Sequence, residues 1–290
     1  MEIRELKYFL AVAREQSISK AALRLFVTQP NLSRQMQNLE KEIGQQLFIR
    51  GTRKITLTEA GQLLLKRAEE IIELYNKTEN ELNAPITDIS GDIHIGGGES
   101  YIMGLIAKAA RAVQSEYPDV KFHLFSGDSG TVSERLDKGL IDFGIFIEPF
   151  DASKYDYIRL PLFDTWGVLM RKDSPLAEKE NISPEDLWDK PLILSRQSHG
   201  KNMISDWFRK DINELNVVAT GNLLYNMSLL VEENLGYAVC LDKIIHTDGN
   251  SKLCFRPLYP KLISHLDFAW KKYQVFPKCA EIFLKYLQEN

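Results

Sequence analysis

The chain of 290 residues is too long for one small domain and suits a small domain followed by one of roughly 200 residues. Its 44% hydrophobic and 26% charged residues are typical of a globular protein. It contains no uninterrupted apolar run of the roughly 18 residues that a membrane span needs, and Met1 to Glu5 do not resemble a leader peptide, so we expect a cytoplasmic protein without a membrane partner.

The charge is distributed unevenly along the chain. The net charge of −4 does not by itself suggest a nucleic-acid partner. Between residues 20 and 54, however, bases outnumber acids seven to two, whereas from residue 91 onward acids outnumber bases 28 to 23. A local positive field is expected where one module of a protein contacts phosphate.

Two amphipathic helices are predicted at the start of the chain. Apolar residues at helical spacing predict a first helix over residues 3–14 with one buried stripe. Ser19 is expected to cap a second, short helix, whose paired Ala21 and Ala22 allow another helix to approach closely. Phe26 and Val27 then form a turn. The buried stripe comprises Ile3, Leu6, Phe9, Leu10 and Ala13.

A third helix follows this turn. Thr28 is a good N-cap, and Pro30 falls in the first turn, where a missing N–H does no harm. Gly44 is expected to end the helix in the left-handed conformation. Its predicted core face consists of Leu32, Met36, Leu39 and Ile43.

The opposite face of the third helix carries forked donors and hydroxyls, with no carboxylate before Glu40. It comprises Gln29, Pro30, Ser33, Arg34 and Gln37. Gln can form bidentate bonds to adenine and Arg to guanine, which predicts a recognition helix in the major groove of double-stranded DNA. The alternative is a plain helical bundle with a solvated polar face, but such a face normally interleaves Glu and Lys.

A β-hairpin with a basic tip is predicted after Gly44. Residues 46–50 and 55–57 are the two short strands, and the tip between them contains Arg53 and Lys54. A guanidinium at such a tip can enter a minor groove, where the potential is most negative. We therefore expect a winged helix-turn-helix in which Arg53 anchors the wing.

This segment resembles the LysR-type transcriptional regulators almost position by position. The resemblance covers the first sixty residues, and the layout of the remainder agrees over the full length. Asn31 departs from the small residue expected there, which could alter base preference. The matching runs are FLAVA at 9–13, SISKAA at 17–22, QPNLSRQ at 29–35, LE at 39–40, LF at 47–48 and LTEAG at 57–61.

A long helix is predicted to follow the wing, with Thr58 as its cap and Glu59 in its first turn. A heptad stripe along it favours a two-stranded coiled coil, although a single-chain surface helix has the same spacing. A dimer would place two recognition helices on half-sites of a palindromic operator. The resemblance implies homodimers and commonly homotetramers. The stripe comprises Leu64, Ala68, Ile71, Tyr75, Thr78 and Leu82.

Residues from 92 onward alternate strand-like and helix-like segments, which predicts an α/β domain with parallel strands. The resemblance implies two Rossmann-like lobes with a cleft between them, similar to periplasmic solute-binding proteins. We therefore expect a DNA-binding domain over 1–58, a linker helix over 59–88 and an effector-binding domain over 89–290. The first lobe would span about 89–160 and 265–290, and the second about 161–264. Predicted strands cover residues 93–98, 120–125, 141–147, 166–170, 192–195, 217–220, 237–241 and 268–270.

Ligands of open parallel sheets bind beyond the carboxyl ends of strands and near helix N-termini. Hydroxyls, amides and N–H groups at those positions favour a small, anionic effector, and Arg196 could pair with a carboxylate. The same residues are also simple N-caps. Ser100 and Ser129 rank first, because the family's inducer cleft uses hydroxyls at matching strand ends. The candidates are Ser100, Tyr101, Asp128, Ser129, Arg196, Gln197 and Asn222.

The sequence contains no motif for catalysis, cofactor binding or metal binding. The five histidines lack metal-ligand spacing, no Gly-x-Ser-x-Gly elbow is present, and the triplet Gly96 to Gly98 lacks the order of a nucleotide loop. The three cysteines lack CxxC spacing and are expected to be buried thiols, with a redox pair of Cys240 and Cys254 as the alternative.

Two other functions stay open from the sequence. In the first, residues 90–290 are a solute-binding or enzymatic module and the N-terminal segment is incidental. In the second, DNA binding is constitutive and the cleft is filled by side chains such as Tyr101 and Phe125.

Overall fold

A computed structural model describes residues 1–51, 54–83, 89–196 and 203–289. The chain divides into two compact units, Met1–Asn83 and Ala84–Asn290. Within the described ranges, no helix has both the length and the apolar character needed to cross a membrane.

The N-terminal unit consists of three helices, a hairpin and a long fourth helix. The core is formed where α1, α2 and α3 pack together, with Phe9, Leu32 and Leu39 completely buried. The elements are α1 (Ile3–Glu15), α2 (Ile18–Arg24), α3 (Gln29–Ile43), β1 (Phe48–Arg50), β2 (Ile55–Leu57) and α4 (Glu59–Asn83).

Two local predictions for these helices are wrong. Ser17, not Ser19, caps α2, and its hydroxyl accepts the Lys20 N–H at 3.4 Å, because the chain enters the helix directly after Gln16 ends α1 at a φ of 50°. Ile43 is 38% exposed, since the buried face of α3 ends at Leu39. Gly44 ends α3 at a φ of 76°, as predicted.

The hairpin is held against the end of α3 by one carboxylate. Strands β1 and β2 pair antiparallel, with Phe48 opposite Leu57. A Glu40 oxygen accepts the backbone N–H groups of Leu47 at 2.8 Å and of Phe48 at 3.1 Å. Glu40 therefore fixes the start of the hairpin relative to α3.

Helix α4 begins on the hairpin and packs against the helical core. The Thr58 hydroxyl accepts the Gly61 N–H at 3.0 Å and donates to the Gln46 carbonyl at 2.7 Å. Ala68 is completely buried in the core and Leu64 is half-buried against it. These two members of the predicted heptad stripe therefore pack within their own unit, and the exposed part of the stripe begins at Ile71.

The C-terminal unit is built on one mixed sheet of nine strands. Its helices are α5 (Met103–Glu116), α6 (Ser129–Asp137), α7 (Met203–Phe208), α8 (Leu224–Glu232) and α9 (Lys278–Glu289). Its strands are β3 (Gly91–Gly97), β4 (Val120–Ser126), β5 (Phe143–Ile147), β6 (Tyr155–Arg171), β7 (Leu192–Ser195), β8 (Val217–Gly221), β9 (Tyr237–Leu241), β10 (Leu253–Pro257) and β11 (Ile263–Lys271).

The strand order is β4-β3-β5-β11-β6-β9-β7-β8, with β10 paired to β6. Strands β3, β4 and β5 are parallel, as are β7, β8 and β9, in agreement with the prediction. Between these two sets, β11 and β6 run antiparallel to their neighbours, which the sequence patterns did not predict.

Strand β6 joins two lobes. Its residues Tyr155 to Thr165 pair with β11, and the following residues to Arg171 pair with β9 and β10. We call β3, β4 and β5 with α5, α6 and α9 the first lobe, and β7 to β10 with α7 and α8 the second. Each lobe has its own apolar core, centred on Phe143 and Phe268 in the first and on Phe208 and Leu192 in the second.

Replacing two helical glycines by alanine should change the stability of the protein in opposite directions. A Cβ on Gly61 would lie 2.2 Å from the Leu47 carbonyl oxygen, so Gly61→Ala must push α4 away from the hairpin and should destabilise the N-terminal unit by about 1–3 kcal/mol. A Cβ on Gly104 in α5 meets nothing within 4 Å, so Gly104→Ala should stabilise by about 0.5–1 kcal/mol. Calorimetric unfolding of the two variants measures both effects. An increase in stability for Gly61→Ala would contradict the close packing of α4 on β1.

Candidate DNA-binding surface and ligand cleft

The face of α3 predicted to read DNA is on the surface. Gln29, Pro30, Arg34 and Gln37 are exposed and Ser33 is half-buried. Within the described residues, the Arg34 guanidinium and the Gln37 amide form no hydrogen bond or ion pair with protein. The donors of this face are therefore available to an external partner.

Two further observations extend this surface. Lys41 is exposed one turn beyond Gln37 on the same face of α3, a position that the sequence prediction did not include. Lys54, in the loop between β1 and β2, is exposed as well. Arg53, the predicted anchor of the wing, lies outside the described residues.

A cavity of about 270 Å³ lies between the two lobes of the C-terminal unit. Strand ends of the first lobe and the start of α8 in the second lobe line it, as the rule for open parallel sheets predicts. We call it the cleft. Its polar lining residues in the described ranges are Glu99, Asp128, Ser129, Glu148, Ser195, Asn222, Trp166 and Ser264.

The predicted effector residues are divided between this cleft and its surroundings. Asp128, Ser129 and Asn222 line the cleft. Ser100 and Tyr101 line a neighbouring hollow instead, where the Lys243 ammonium lies 5.1 Å from the centre of the Tyr101 ring. Gln197 lies outside the described residues.

Asp128 and Arg196 form a salt bridge from one lobe to the other. Asp128 caps α6 and accepts the Thr131 N–H at 2.9 Å and the Thr131 hydroxyl at 2.6 Å. The Arg196 guanidinium donates to its other oxygen at 2.8 Å. The Thr131 hydrogen bonds, followed by Arg196, lower the pKa of Asp128. Arg196 is thus already bound to a carboxylate of the protein.

Glu99 forms a second contact between the lobes. It is not among the predicted effector residues, which were ranked by their hydroxyl groups. This residue lies two positions after the end of β3, and its carboxylate accepts the backbone N–H of Leu224, the first residue of α8. A carboxylate at a helix N-terminus is stabilised by the helix dipole. Its position after a strand could have marked Glu99 as a candidate, since the neighbouring Ser100 was selected because it follows the same strand.

Ser100 is committed to a contact at the junction of the lobes. Its hydroxyl donates to Asp164 on β6 at 2.5 Å and accepts the Ile102 N–H at 2.9 Å. Asp164 is only 4% exposed. Burial raises the pKa of Asp164, and the hydrogen bond from Ser100 opposes that shift.

Known proteins resemble this chain in both units. Residues 3–62 match the family model described as the bacterial regulatory helix-turn-helix protein, lysR family, and residues 87–290 match the model described as the LysR substrate binding domain. The chain belongs to the LysR family of transcriptional regulators.

Relatives and solved structures agree with this assignment. This LysR-type regulator is 30% identical to the Hca operon transcriptional activator HcaR of Escherichia coli K12, covering 100% of this chain and 98% of HcaR. It is 27% identical to the uncharacterized HTH-type transcriptional regulator YybE of Bacillus subtilis, covering 99% and 98%. Its fold is similar to full-length CbnR solved in complex with target DNA, with a TM-score of 0.75, 19% identity and coverage of 100% and 99%.

The family assignment confirms the fold class and the general function expected from the sequence. The protein is a DNA-binding transcriptional regulator with an N-terminal helix-turn-helix and a C-terminal effector-binding domain. The alternative of an incidental N-terminal segment is therefore wrong, because that segment matches a DNA-binding family model on its own.

The cysteines of this LysR-type regulator are free and buried, as expected. Burial raises the pKa of Cys240, which lines the cleft, to about 12 and also raises that of Cys254. Such thiols are poor nucleophiles near neutral pH. In the part of the chain that the structure describes, no cluster of His, Cys, Asp or Glu could hold a metal ion.

Replacing Asp164 should stabilise the protein in a pH-dependent way. Because its folded-state pKa is raised above the unfolded value of 3.8, its contribution to stability is fully present below that value and falls as the pH rises through the folded-state pKa. Asp164→Asn keeps an oxygen for the Ser100 hydroxyl and removes the buried charge. Its melting temperature should exceed that of the wild type more at about pH 7 than at about pH 4.

The control for this variant is Asp156→Asn, which removes an exposed carboxylate from the same strand. It should leave the difference from wild type nearly independent of pH. If Asp164→Asn differed from the wild type by the same melting temperature at both pH values, burial would not raise the pKa of Asp164.

Proposed function

We propose that the exposed face of α3 reads a major-groove half-site. The observation that carries this proposal is the set of exposed donors without a protein partner among the described residues, above all Arg34 and Gln37. Arg34 would bond a guanine, and Gln29 and Gln37 would bond adenines. Pro30 and Ser33 would lie against the backbone at the start of the helix, where free N–H groups favour phosphate.

The wing would contact the adjacent minor groove through Arg53. Support comes from the sequence of the basic tip and from the Glu40 hydrogen bonds, which hold the hairpin next to α3. A guanidinium is attracted to a narrow minor groove because the negative potential is strongest there.

Helix α4 would form a homodimer that binds a palindromic operator. Its surface carries an exposed apolar stripe made of Ile71, Leu74, Tyr75 and Leu82, each at least 36% exposed. Two recognition helices on one two-fold axis would gain affinity through effective concentration. Membership of the family favours further assembly into a homotetramer.

The cleft would bind a small effector and thereby change how the dimers sit on the operator. In this proposal residues 1–58 bind DNA, residues 59–88 form the dimer and residues 89–290 bind the effector. A cavity of about 270 Å³ disfavours a cleft filled by side chains. The effector must bind one arrangement of the dimers on the operator more tightly than another. This difference in binding free energy is the coupling free energy between effector and DNA. The protein would act in the cytoplasm by binding alone, without catalysis.

Truncating Arg34 should remove base reading at one position. Arg34→Ala should weaken operator binding by about 1–3 kcal/mol and flatten the preference at one base pair, because a bidentate contact to a base edge is lost. Selection from randomised duplexes followed by fluorescence anisotropy measures both quantities. Unchanged base preference would contradict the assignment of α3 as the reading helix.

Lys41→Ala is the matched comparison, since Lys41 lies on the same face of α3 and would contact phosphate. It should weaken binding to all DNA sequences evenly. It should also reduce by about one the slope of log affinity against log salt concentration. Lys108→Ala removes an exposed charge from α5 and should change neither quantity.

A charge in the apolar stripe of α4 should dissociate the dimer. Ile71→Lys would place two ammonium groups at the helix contact, so we expect a monomer in sedimentation velocity and a loss of operator affinity of about 10²–10⁴-fold. Asn76→Lys adds the same charge at an exposed position on another face of α4 and should stay dimeric. A dimeric Ile71→Lys protein would show that another surface holds the copies together.

A further inference from the structure

Apolar side chains make up most of the cleft wall. Ile145 and Ile147 come from the first lobe, and Leu224, Met227, Leu241 and Ile244 come from the second. Most of these side chains belong to the buried cores of their lobes. An apolar wall of this kind lowers the local dielectric constant and makes the charges in the cleft decisive for what binds.

Three carboxylates, and no lysine, arginine or histidine, are among the described residues that line the cleft. The carboxylates belong to Glu99, Asp128 and Glu148. They follow β3, β4 and β5, whose carboxyl ends meet at one edge of the sheet in the first lobe.

Two of these carboxylates have cationic partners in the protein. The Arg196 guanidinium binds Asp128 at 2.8 Å from the opposite lobe. The Arg159 guanidinium binds Glu148 and, through its Nε, the buried Asp267 at 3.2 Å. Asp128 is therefore paired with a guanidinium before any ligand arrives, and Glu148 shares the guanidinium of Arg159 with Asp267.

Glu99 has no cationic partner among the described residues. Its carboxylate is bonded to the Leu224 N–H at the start of α8. A helix N-terminus provides at most about half an elementary positive charge, so part of the carboxylate charge stays uncompensated. Among the described residues that line the cleft, Glu99 is thus the carboxylate that lacks a guanidinium partner.

We propose that the cleft takes an effector with an ammonium group on an apolar body, and that Glu99 binds the ammonium. This proposal rests on the proposed function, in which the cleft is the effector site. An ammonium would replace the missing counter-charge and leave the apolar body against the wall. The Ser129 hydroxyl and the Asn222 amide line the same cavity and form no hydrogen bond with described residues, so they are available to orient the ligand.

An anionic effector, which the strand-end pattern favoured, meets two obstacles in this arrangement. The N–H at the start of α8 already binds Glu99, and Arg196 already binds Asp128. A ligand carboxylate that used either of these donors would have to displace a protein carboxylate and would then lie near it. Like charges at such distances in an apolar cleft repel strongly.

Matched probes of one shape and different charge test the proposal. Benzylamine, benzyl alcohol and benzoate are titrated into the full-length protein by calorimetry near neutral pH, with tryptamine as a larger amine. Benzylamine should bind at least about tenfold more tightly than benzoate. Tighter binding of benzoate, or no binding by either amine, overturns the proposal.

Two isosteric variants identify the responsible carboxylate. Glu99→Gln keeps an oxygen for the Leu224 N–H and should raise the benzylamine dissociation constant at least about tenfold. Glu148→Gln lies in the same cleft but removes a carboxylate that is ion-paired with Arg159, so its effect should stay below about threefold. Equal effects of both variants, or none from Glu99→Gln, overturn the role of Glu99.

Binding to a duplex selected from randomised DNA separates this proposal from the proposed function. The wild type should bind that duplex without ligand, and Glu99→Gln is measured beside it, with an unchanged melting temperature to verify its fold. Loss of the amine response with intact DNA binding supports the inference about the cleft. Intact amine binding without any sequence-selective DNA binding would reject the DNA-reading assignment and leave the cleft inference standing.

Discussion

Both lobes of the C-terminal unit depend on one continuous strand. The first eleven residues of β6, up to Thr165, bond to β11, and the rest bond to β9 and β10. Because one extended backbone pairs with strands of both half-sheets, β6 and β11 join the lobes within the sheet. The cleft is the space that this arrangement leaves between their parallel strand ends, beside Trp166 and Ser264 on the joining strands.

Polar contacts across this cleft then determine how it can respond to a ligand. Asp128 with Arg196, and Glu99 with the N–H of Leu224, each join one lobe to the other. A ligand that binds beside either contact changes the free energy of bringing the lobes together. Ser100 and Asp164 have a structural role instead, since their hydrogen bond fixes the start of α5 to β6. A serine near a strand end can thus support the architecture, while the proposed ligand-binding group belongs to the preceding residue, Glu99.

Sequence reasoning succeeded where a local rule determines the structure. Thr28 and Gly44 bound α3 as predicted, because capping depends on a few adjacent residues. The prediction of Ser19 as the cap of α2 was wrong. Helix α1 ends at Gln16, so Ser17 stands at the start of α2 and caps it. Sequence reasoning also missed most of β6, whose alternating polar residues and Pro161 do not look like a central strand until β11 pairs with it. The role of Glu99 could not be read from the sequence, since its partner is 125 residues away.

The packing of α4 limits how a signal could reach the DNA. Leu64 and Ala68 join the first half of the helix to the core that contains α3, and Gly61 lets it contact the hairpin closely. A rigid connection of this kind means that α3 and the wing follow any rotation of α4. In the proposed dimer, the exposed stripe from Ile71 to Leu82 sets the angle between two such helices. A change in that angle would move the two recognition helices apart or together without altering either DNA-binding unit, so regulation would require only a shift between two packings of the stripe.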